Sequence, residues 1–161
     1  MTAITVYTTY NDIRAALGVS DEELEDATLG LNLYADSLQS ELEDVDSTLP
    51  STFATVSALP SQTDAQSRFL RETRLFATYC VARQLTTSLP LFAAKSVTDG
   101  KAATQRFDGF DKTIASIEAQ YNNARAKLAS ALVSIGTTIS AASTVTFLGV
   151  STPSTDRVTG A

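Results

Sequence analysis

The chain has 161 residues, of which 43% are apolar, and a formal net charge of −6 at pH 7. This length suits a single domain with a proper hydrophobic core. Histidine and tryptophan are absent, so the usual acid–base group of neutral pH and the commonest metal ligand are both excluded.

The N-terminal segment combines an extended start with two helix-capping patterns. Residues 3–8 (AITVYT) are rich in β-branched side chains and predict a short strand or an extended arm. Thr9, three residues before an acid, predicts the start of a short helix that Gly18 ends. Ser20 with Glu23 repeats the capping pattern. The first residues lack a basic stretch followed by an apolar run, so we predict no signal peptide.

These two capped helices resemble a helix-turn-helix, but the second would open with five acids between Asp21 and Asp26. DNA phosphates repel such a helix, so we exclude DNA readout. The second helix is predicted to continue to about Val45. Its core-facing stripe is Ala27, Leu31, Tyr34, Leu38, Leu42 and Val45. Its opposite, wet face carries Asp36, Glu41, Glu43 and Asp44.

Residues 46–63 (DSTLPSTFATVSALPSQT) contain two prolines and many hydroxyl side chains, and they predict a long connection. Phe53, Val56 and Leu59 are too apolar for a purely solvated linker. We therefore predict a projecting loop through which these three residues contact a neighbouring subunit or a tail protein.

The segment Asp64–Leu89 predicts one long central helix, because it contains no glycine or proline. It carries two apolar stripes, one of Phe69, Phe76 and Cys80 and the other of Leu70, Ala77 and Val81. A helix that is apolar on so many sides must be covered by other helices or by other subunits. Cys80, the single cysteine, is predicted to be a buried, inert thiol.

Charge is distributed unevenly along the chain. Residues 15–67 contain eleven acids and no lysine or arginine, whereas residues 68–161 contain eleven basic residues and six acids. Such asymmetry suggests surfaces of opposite sign that meet in an assembly, or simply a solvated acidic helix. Our hypothesis pairs basic side chains of the central helix with the acidic face of an adjacent subunit. The residues in this hypothesis are Arg68, Arg71 and Arg74 on one side and Asp36, Glu41 and Asp44 on the other.

A turn-rich connection is predicted at residues 96–109, followed by a final helix from Gly109 to Ile135 that Gly136 ends. That helix would be roughly 40 Å long. Its apolar stripe is Phe110, Ile114, Ile117, Tyr121, Ala124, Leu128, Leu132 and Ile135.

Residues 137–161 predict an extended C-terminal arm that adds a short strand to a partner. The charge-free tract between Lys127 and Asp156 has twelve serines and threonines among its 28 residues. So many hydroxyl groups are unfavourable in lipid, so a membrane helix is rejected. The predicted contact residues of the arm are Val145, Phe147, Leu148, Val150 and Pro153.

Together these patterns predict an all-α bundle of about four helices, two of them long, over residues 1–136, with the arm at 137–161. The sequence has no P-loop, no GxGxxG and no nucleophile beside a base, so we predict no enzyme activity and no cofactor. The carboxylates at Asp21–Asp26 and at Asp108 with Asp111 are interpreted as helix-start residues and not as a metal site.

The layout over roughly residues 7–135 resembles the head–tail connector proteins of tailed bacteriophages, also called adaptor or head-completion proteins. The resemblance rests on the entry YTTYNDIRAALGVSDEEL, the long acidic helix, the long central helix and the turn AKSVTDGKAATQRF. The tail FLGVSTPSTDRVTG is similar to the arms with which such adaptors contact the portal. The 46–63 loop and the C-terminal extension are additions relative to shorter members.

The resemblance implies a structural virion protein located in the neck, between head and tail, after assembly in the host cytoplasm. It implies a homo-oligomeric ring, commonly a dodecamer, that docks beneath the portal protein and carries tail or nozzle proteins. DNA would pass through its channel without specific binding. Two alternatives remain open: a tail-completion or neck protein that contacts only tail components, and a free-standing helical binding or regulatory protein. An enzyme with a carboxylate-bound metal ranks last.

Overall fold

The computed structural model describes the backbone of residues 3–86 and 100–148, and the side chains at residues 3–86 and 111–136. All the helical and strand elements assigned among these residues are helices, which confirms the predicted all-α fold class. A 3₁₀ turn at Ile4–Val6 precedes six helices: α1 (Tyr10–Leu17), α2 (Asp26–Leu29), α3 (Asn32–Val45), α4 (Leu49–Ser57), α5 (Asp64–Thr86) and α6 (Gly100–Leu148).

The strand or arm predicted at residues 3–8 is wrong, because this segment closes into the 3₁₀ turn. Ile4 and Tyr7 are both buried, and their spacing of three residues lets both side chains reach the core from one turn. The Thr8 and Thr78 hydroxyls lie 2.6 Å apart in a buried hydrogen bond. These contacts hold the segment against α5.

Both predicted capping patterns around α1 form. The Thr9 hydroxyl accepts a hydrogen bond from the Asp12 amide at 3.2 Å, and Gly18 ends the helix at φ 69°. The Ser20 amide donates to the Glu23 carboxylate at 3.0 Å. That second box begins a turn and not the expected long helix.

The single helix predicted to reach Val45 is wrong at its start, because α2 spans only four residues before α3 begins at Asn32. Arg14 of α1 stabilises the segment where α2 begins, because it donates to the Leu24 carbonyl at 2.8 Å and pairs with Asp26. Gly30 fits the close approach to α1, since an added Cβ would lie 3.3 Å from the Tyr10 hydroxyl oxygen.

The predicted stripe of the second helix is confirmed only from Tyr34 onward. Tyr34, Leu38 and Leu42 are buried, and Val45 is half-buried. Ala27 and Leu31 lie before α3 begins, and both are exposed.

The projecting loop predicted at residues 46–63 is wrong over α4. Pro50 lies in the first turn of α4, where its missing N–H costs nothing. Phe53 and Val56 are 8% and 4% exposed and belong to the core of their own chain, and the Phe53 ring centroid lies 4.9 Å from that of Tyr7. Leu59 alone of the three predicted contact residues is on the surface.

Helix α5 confirms the predicted central helix as far as Thr86, and residues 87–89 lie outside the described part. Its predicted stripe residues Phe69, Phe76, Ala77, Cys80 and Val81 are all buried, and Leu70 is half-buried. Helices α1, α3, α4 and α6 cover α5 within one chain. Leu75, at 40%, is the one large apolar side chain of α5 that stays exposed. Of the two covers that the sequence left open, other helices of the same chain or other subunits, the helices of the same chain provide the cover.

Helix α6 is much longer than predicted. The described part begins at Gly100 and ends at Leu148, so residues 100–109 are not a turn, Gly136 is not a stop and residues 137–148 are not an extended arm. A helix tolerates one interior glycine at a cost of about 1 kcal/mol. Asp108 and Asp111 lie inside this helix and not at its start.

The apolar stripe of α6 is confirmed where side chains are described. Ile117, Tyr121, Ala124, Leu128 and Ile135 are buried, and Ile114 and Leu132 are half-buried. The Phe110 side chain, residues 96–99 and residues 149–161 lie outside the described part.

Replacing Phe76 by alanine should destabilise the bundle strongly, because its ring is 0% exposed and lies 5.4 Å from the Tyr121 ring. We expect a loss of about 3–5 kcal/mol in the free energy of unfolding, measured by urea denaturation. Val133→Ala is the matched control, since Val133 is 70% exposed, and should change stability by no more than about 0.5 kcal/mol. Equal effects of the two variants would contradict this packing.

Candidate functional site

A polar cluster of Glu41, Arg83 and Tyr121, here called the Glu41 cluster, joins α3, α5 and α6. Arg83 donates from Nη2 to one Glu41 carboxylate oxygen at 2.6 Å. The Tyr121 hydroxyl donates to the other carboxylate oxygen at 2.5 Å. The Arg83 guanidinium also lies 3.9 Å from the centroid of the Tyr121 ring, within cation–π range. One carboxylate therefore fixes side chains from two other helices.

The electrostatics of the Glu41 cluster favour the protonated form of its phenol. Burial, followed by the hydrogen bond to Glu41, raises the pKa of Tyr121 to about 12. The phenol therefore stays protonated and acts as a hydrogen-bond donor. Both oxygens of the Glu41 carboxylate accept hydrogen bonds within the chain, and the inter-subunit charge contact predicted for Glu41 stays a prediction.

An open groove of about 610 Å³ lies beside this cluster, between α3, α5 and α6. Leu33 forms one edge with 70% of its surface exposed, and Ile114 and Glu118 form the edge on α6. Inside the groove Gln84 donates to the Ser37 hydroxyl at 2.6 Å. An open, partly apolar groove whose polar groups already bond to each other suits contact with another macromolecule better than capture of a small ligand.

A second open groove, of about 650 Å³, lies between α1 and the acidic residues 21–26. Among the described residues that line it, the cation is Arg14, which bonds to the Leu24 carbonyl, to Asn11 at 3.3 Å and to Asp26. Arg14 therefore already has its partners in the fold.

The three predicted arginines of α5 have different surroundings. Arg74 donates to Asp12 of its own chain at 2.5 Å, and this hydrogen bond is the main reason that the pKa of Asp12 is lowered. Arg71 bonds to the neighbouring Glu72 at 3.1 Å while 65% of its side chain stays exposed. Arg68 is exposed. Arg74 is therefore already paired within its own chain, and the inter-subunit contact predicted for it stays a prediction.

The remaining predicted contact residues are partly placed. Asp36 and Asp44 are exposed on α3. Val145, Phe147 and Leu148 lie in α6 and not in a strand, whereas Val150 and Pro153 lie outside the described residues.

Cys80 is buried as predicted, and burial raises its pKa to about 12. Its thiol is therefore protonated and unreactive at neutral pH. Among the residues that the structure describes, no group of three or more Cys, Asp or Glu side chains has the arrangement of a metal site. None of the described helices has the length and apolar character needed to span a membrane.

The Glu41 cluster and the Ser37–Gln84 bond were not predicted from the sequence. One signal was available, because a tyrosine in a core stripe needs a partner for its hydroxyl. Glu41 was assigned to a wet face or to another subunit, and Arg83 received no assignment, because spacing alone does not show which helices are adjacent.

Comparison of the chain with family models, with curated proteins and with solved structures gives no match. The class defined by fold and site is therefore an all-α bundle whose exposed faces are the candidates for function.

Tyr121→Phe should change the alkaline stability of the protein. A tyrosine whose pKa is raised from 10.0 to about 12 in the folded state contributes stability that is present below pH 10 and lost as the pH rises towards 12. The wild type should therefore lose more unfolding free energy between pH 10 and 12 than Tyr121→Phe does, as measured by urea denaturation. Tyr79→Phe removes a phenol outside the cluster and should keep the wild-type slope. Identical slopes for wild type and Tyr121→Phe would refute the role of the hydroxyl.

Proposed function

We propose that this chain is a structural virion protein, a head-to-tail adaptor that forms a ring beneath the portal of a tailed bacteriophage. The proposal rests on the resemblance over residues 7–135 together with the all-α bundle of two long helices. The ring extends the DNA channel and provides the platform on which the tail attaches.

The observation that supports this function best is the length of α6. Its 49 residues correspond to about 74 Å, whereas the 23 residues of α5 correspond to about 35 Å. Roughly half of α6 therefore has no counterpart of equal length on α5. A helix of this kind suits a neck component, because it can reach from the body of one subunit to a neighbouring ring.

The self-contained core supports a subunit that folds first and assembles afterwards. Its central helix is covered by its own chain, so assembly leaves the core intact and uses the remaining exposed faces. Leu31, Leu33 and Leu59, at 52%, 70% and 38% exposure, are available for such contacts.

In this proposal the portal contact comes from the C-terminal segment 137–161, and tail or nozzle proteins bind elsewhere on the subunit. Residues 137–148 of this segment belong to α6. The acidic α3 suits a channel wall, because a wall without clustered cations cannot release the counterions that would hold DNA in place.

Attachment to a portal tests this function directly. The full chain should bind the purified portal ring of the same virus as a discrete ring, seen in electron micrographs and as one co-sedimenting species. A chain that lacks residues 140–161 should keep its melting temperature, because the described core ends at Ile135, but should lose portal attachment. A full chain that binds only tail proteins would favour the neck-protein alternative, and a persistent monomer would favour a regulatory protein.

Duplex DNA should not bind measurably to the free chain at physiological salt. The net charge is −6, and Arg14, Arg74 and Arg83 are paired within the fold. Fluorescence anisotropy with a labelled random duplex measures this affinity. Tight binding that weakens steeply with salt would contradict a passive channel wall.

A further inference from the structure

One exposed face of α3 combines a leucine with acids. This α3 patch consists of Leu33, Asp36, Ser40, Glu43 and Asp44, all of which are exposed. It lies opposite the buried face of Tyr34, Leu38 and Leu42. Leu33 is 70% exposed, so its side chain is available for contact.

One exposed face of α5 has the complementary composition. This α5 patch consists of Arg68, Arg71 and Leu75, which follow one another at helical spacing. Leu75 is 40% exposed. Arg71 is 65% exposed and bonds only to the neighbouring Glu72 through one Nη atom, so most of its guanidinium is free to meet another carboxylate.

The two patches lie on opposite sides of the subunit. Helix α3 packs against the side of α5 that carries Gln84, because Gln84 donates to Ser37. Leu75 is nine residues from Gln84 along α5, which is about 180° around a helix that turns by about 100° per residue. A contact between the α3 patch of one copy and the α5 patch of the next is therefore head-to-tail. It leaves both outer patches free to add further copies, as a ring requires.

The order of residues selects an antiparallel pairing. With Leu33 against Leu75, Asp36 lies about 4.5 Å along its helix and Arg71 lies about 6 Å along its own, so the two are adjacent. Arg68 then lies opposite Ser40, whose small side chain leaves it room to reach Glu43 or Asp44. The exposed Asp64 of the same α5 face would lie opposite Asp44, with Arg68 one helical turn away. A parallel pairing that kept Asp36 beside Arg71 would instead place Leu33 against Arg68.

We propose that the α3 patch of one copy packs antiparallel against the α5 patch of the next copy, and that this contact links the subunits of the ring. The inference rests on the proposed adaptor function and names its inter-subunit surface. Each leucine covers the other, while the arginine–carboxylate pairs fix register and exclude wrong pairings more than they add affinity. Of the six charged residues first expected at this contact, Asp36, Asp44, Arg68 and Arg71 remain, and the two leucines are new.

Cysteine cross-linking distinguishes this pairing from every symmetrical one. Leu33→Cys and Leu75→Cys are made as separate variants of the full chain, in which the native Cys80 is buried. Under mild oxidation a mixture of the two variants should give a disulfide-linked dimer, whereas neither variant alone should do so. The double variant should give a ladder that ends at the ring size, both in concentrated solution and on the purified portal ring.

Charge reversal provides the second measurement. Asp36→Arg and Arg71→Asp should each weaken self-association more than about fivefold in sedimentation velocity, because each places like charges opposite one another. The double variant should recover most of that loss. Asp21→Arg is the control, an exposed acid outside the α3 patch, and should have little effect.

Failure of the contact and failure of the function give different results. If the chain forms rings on the portal but the mixture does not cross-link, the interface is wrong and the adaptor function stands. If the ladder forms but no portal binding occurs, the interface stands and the adaptor function is wrong. Cross-linking of either single variant with itself would overturn the head-to-tail arrangement.

Discussion

The packing of α5 against the other helices is the constraint on which the rest of the fold depends. Phe69, Phe76 and Cys80 are all 0% exposed, and the helices that cover them come from both the N-terminal and the C-terminal parts of the chain. The core therefore forms only when sequence-distant elements meet around one helix. This explains why an acidic chain of small side chains still has a well-defined interior.

Polar contacts give this apolar packing its register. The Glu41 carboxylate of α3 accepts one hydrogen bond from α5 and one from α6. Gln84 of α5 adds another bond to α3 at Ser37. Helices that pack through apolar side chains alone can slide along one another. Loss of a donor to a partly buried carboxylate costs free energy, so these hydrogen bonds favour one arrangement of the three helices. Ser37 and Gln84 line the groove beside Leu33, so the bond between them also shapes that groove.

The sequence was sufficient wherever a local rule or a long apolar repeat determined the structure. The caps of α1 and the stripes of α5 and α6 follow from short-range spacing. It was insufficient where tertiary contacts overrode composition. The hydroxyl-rich residues 46–63 were predicted to be a loop, although Leu49, Phe53 and Val56 have helical spacing. Gly136 was predicted to end the last helix, although a helix tolerates an interior glycine. Pairing between helices, as at Glu41, cannot be predicted from spacing, because a paired acid and a solvated acid of α3 occur in the same sequence pattern.

The same pairing decides where charge is left for other molecules. Arg14, Arg74 and Arg83 each bond to an acid of another helix, so they are satisfied inside the subunit. Arg68 and Arg71 stay on one face of α5, and the acids of α3 stay on the opposite side of the bundle. A subunit with unlike charge on opposite faces attracts its own copies in one orientation and repels them in the reverse one. Folding therefore pairs Arg14, Arg74 and Arg83 within the subunit and leaves unlike charge on different faces, which is the property that a directional assembly needs.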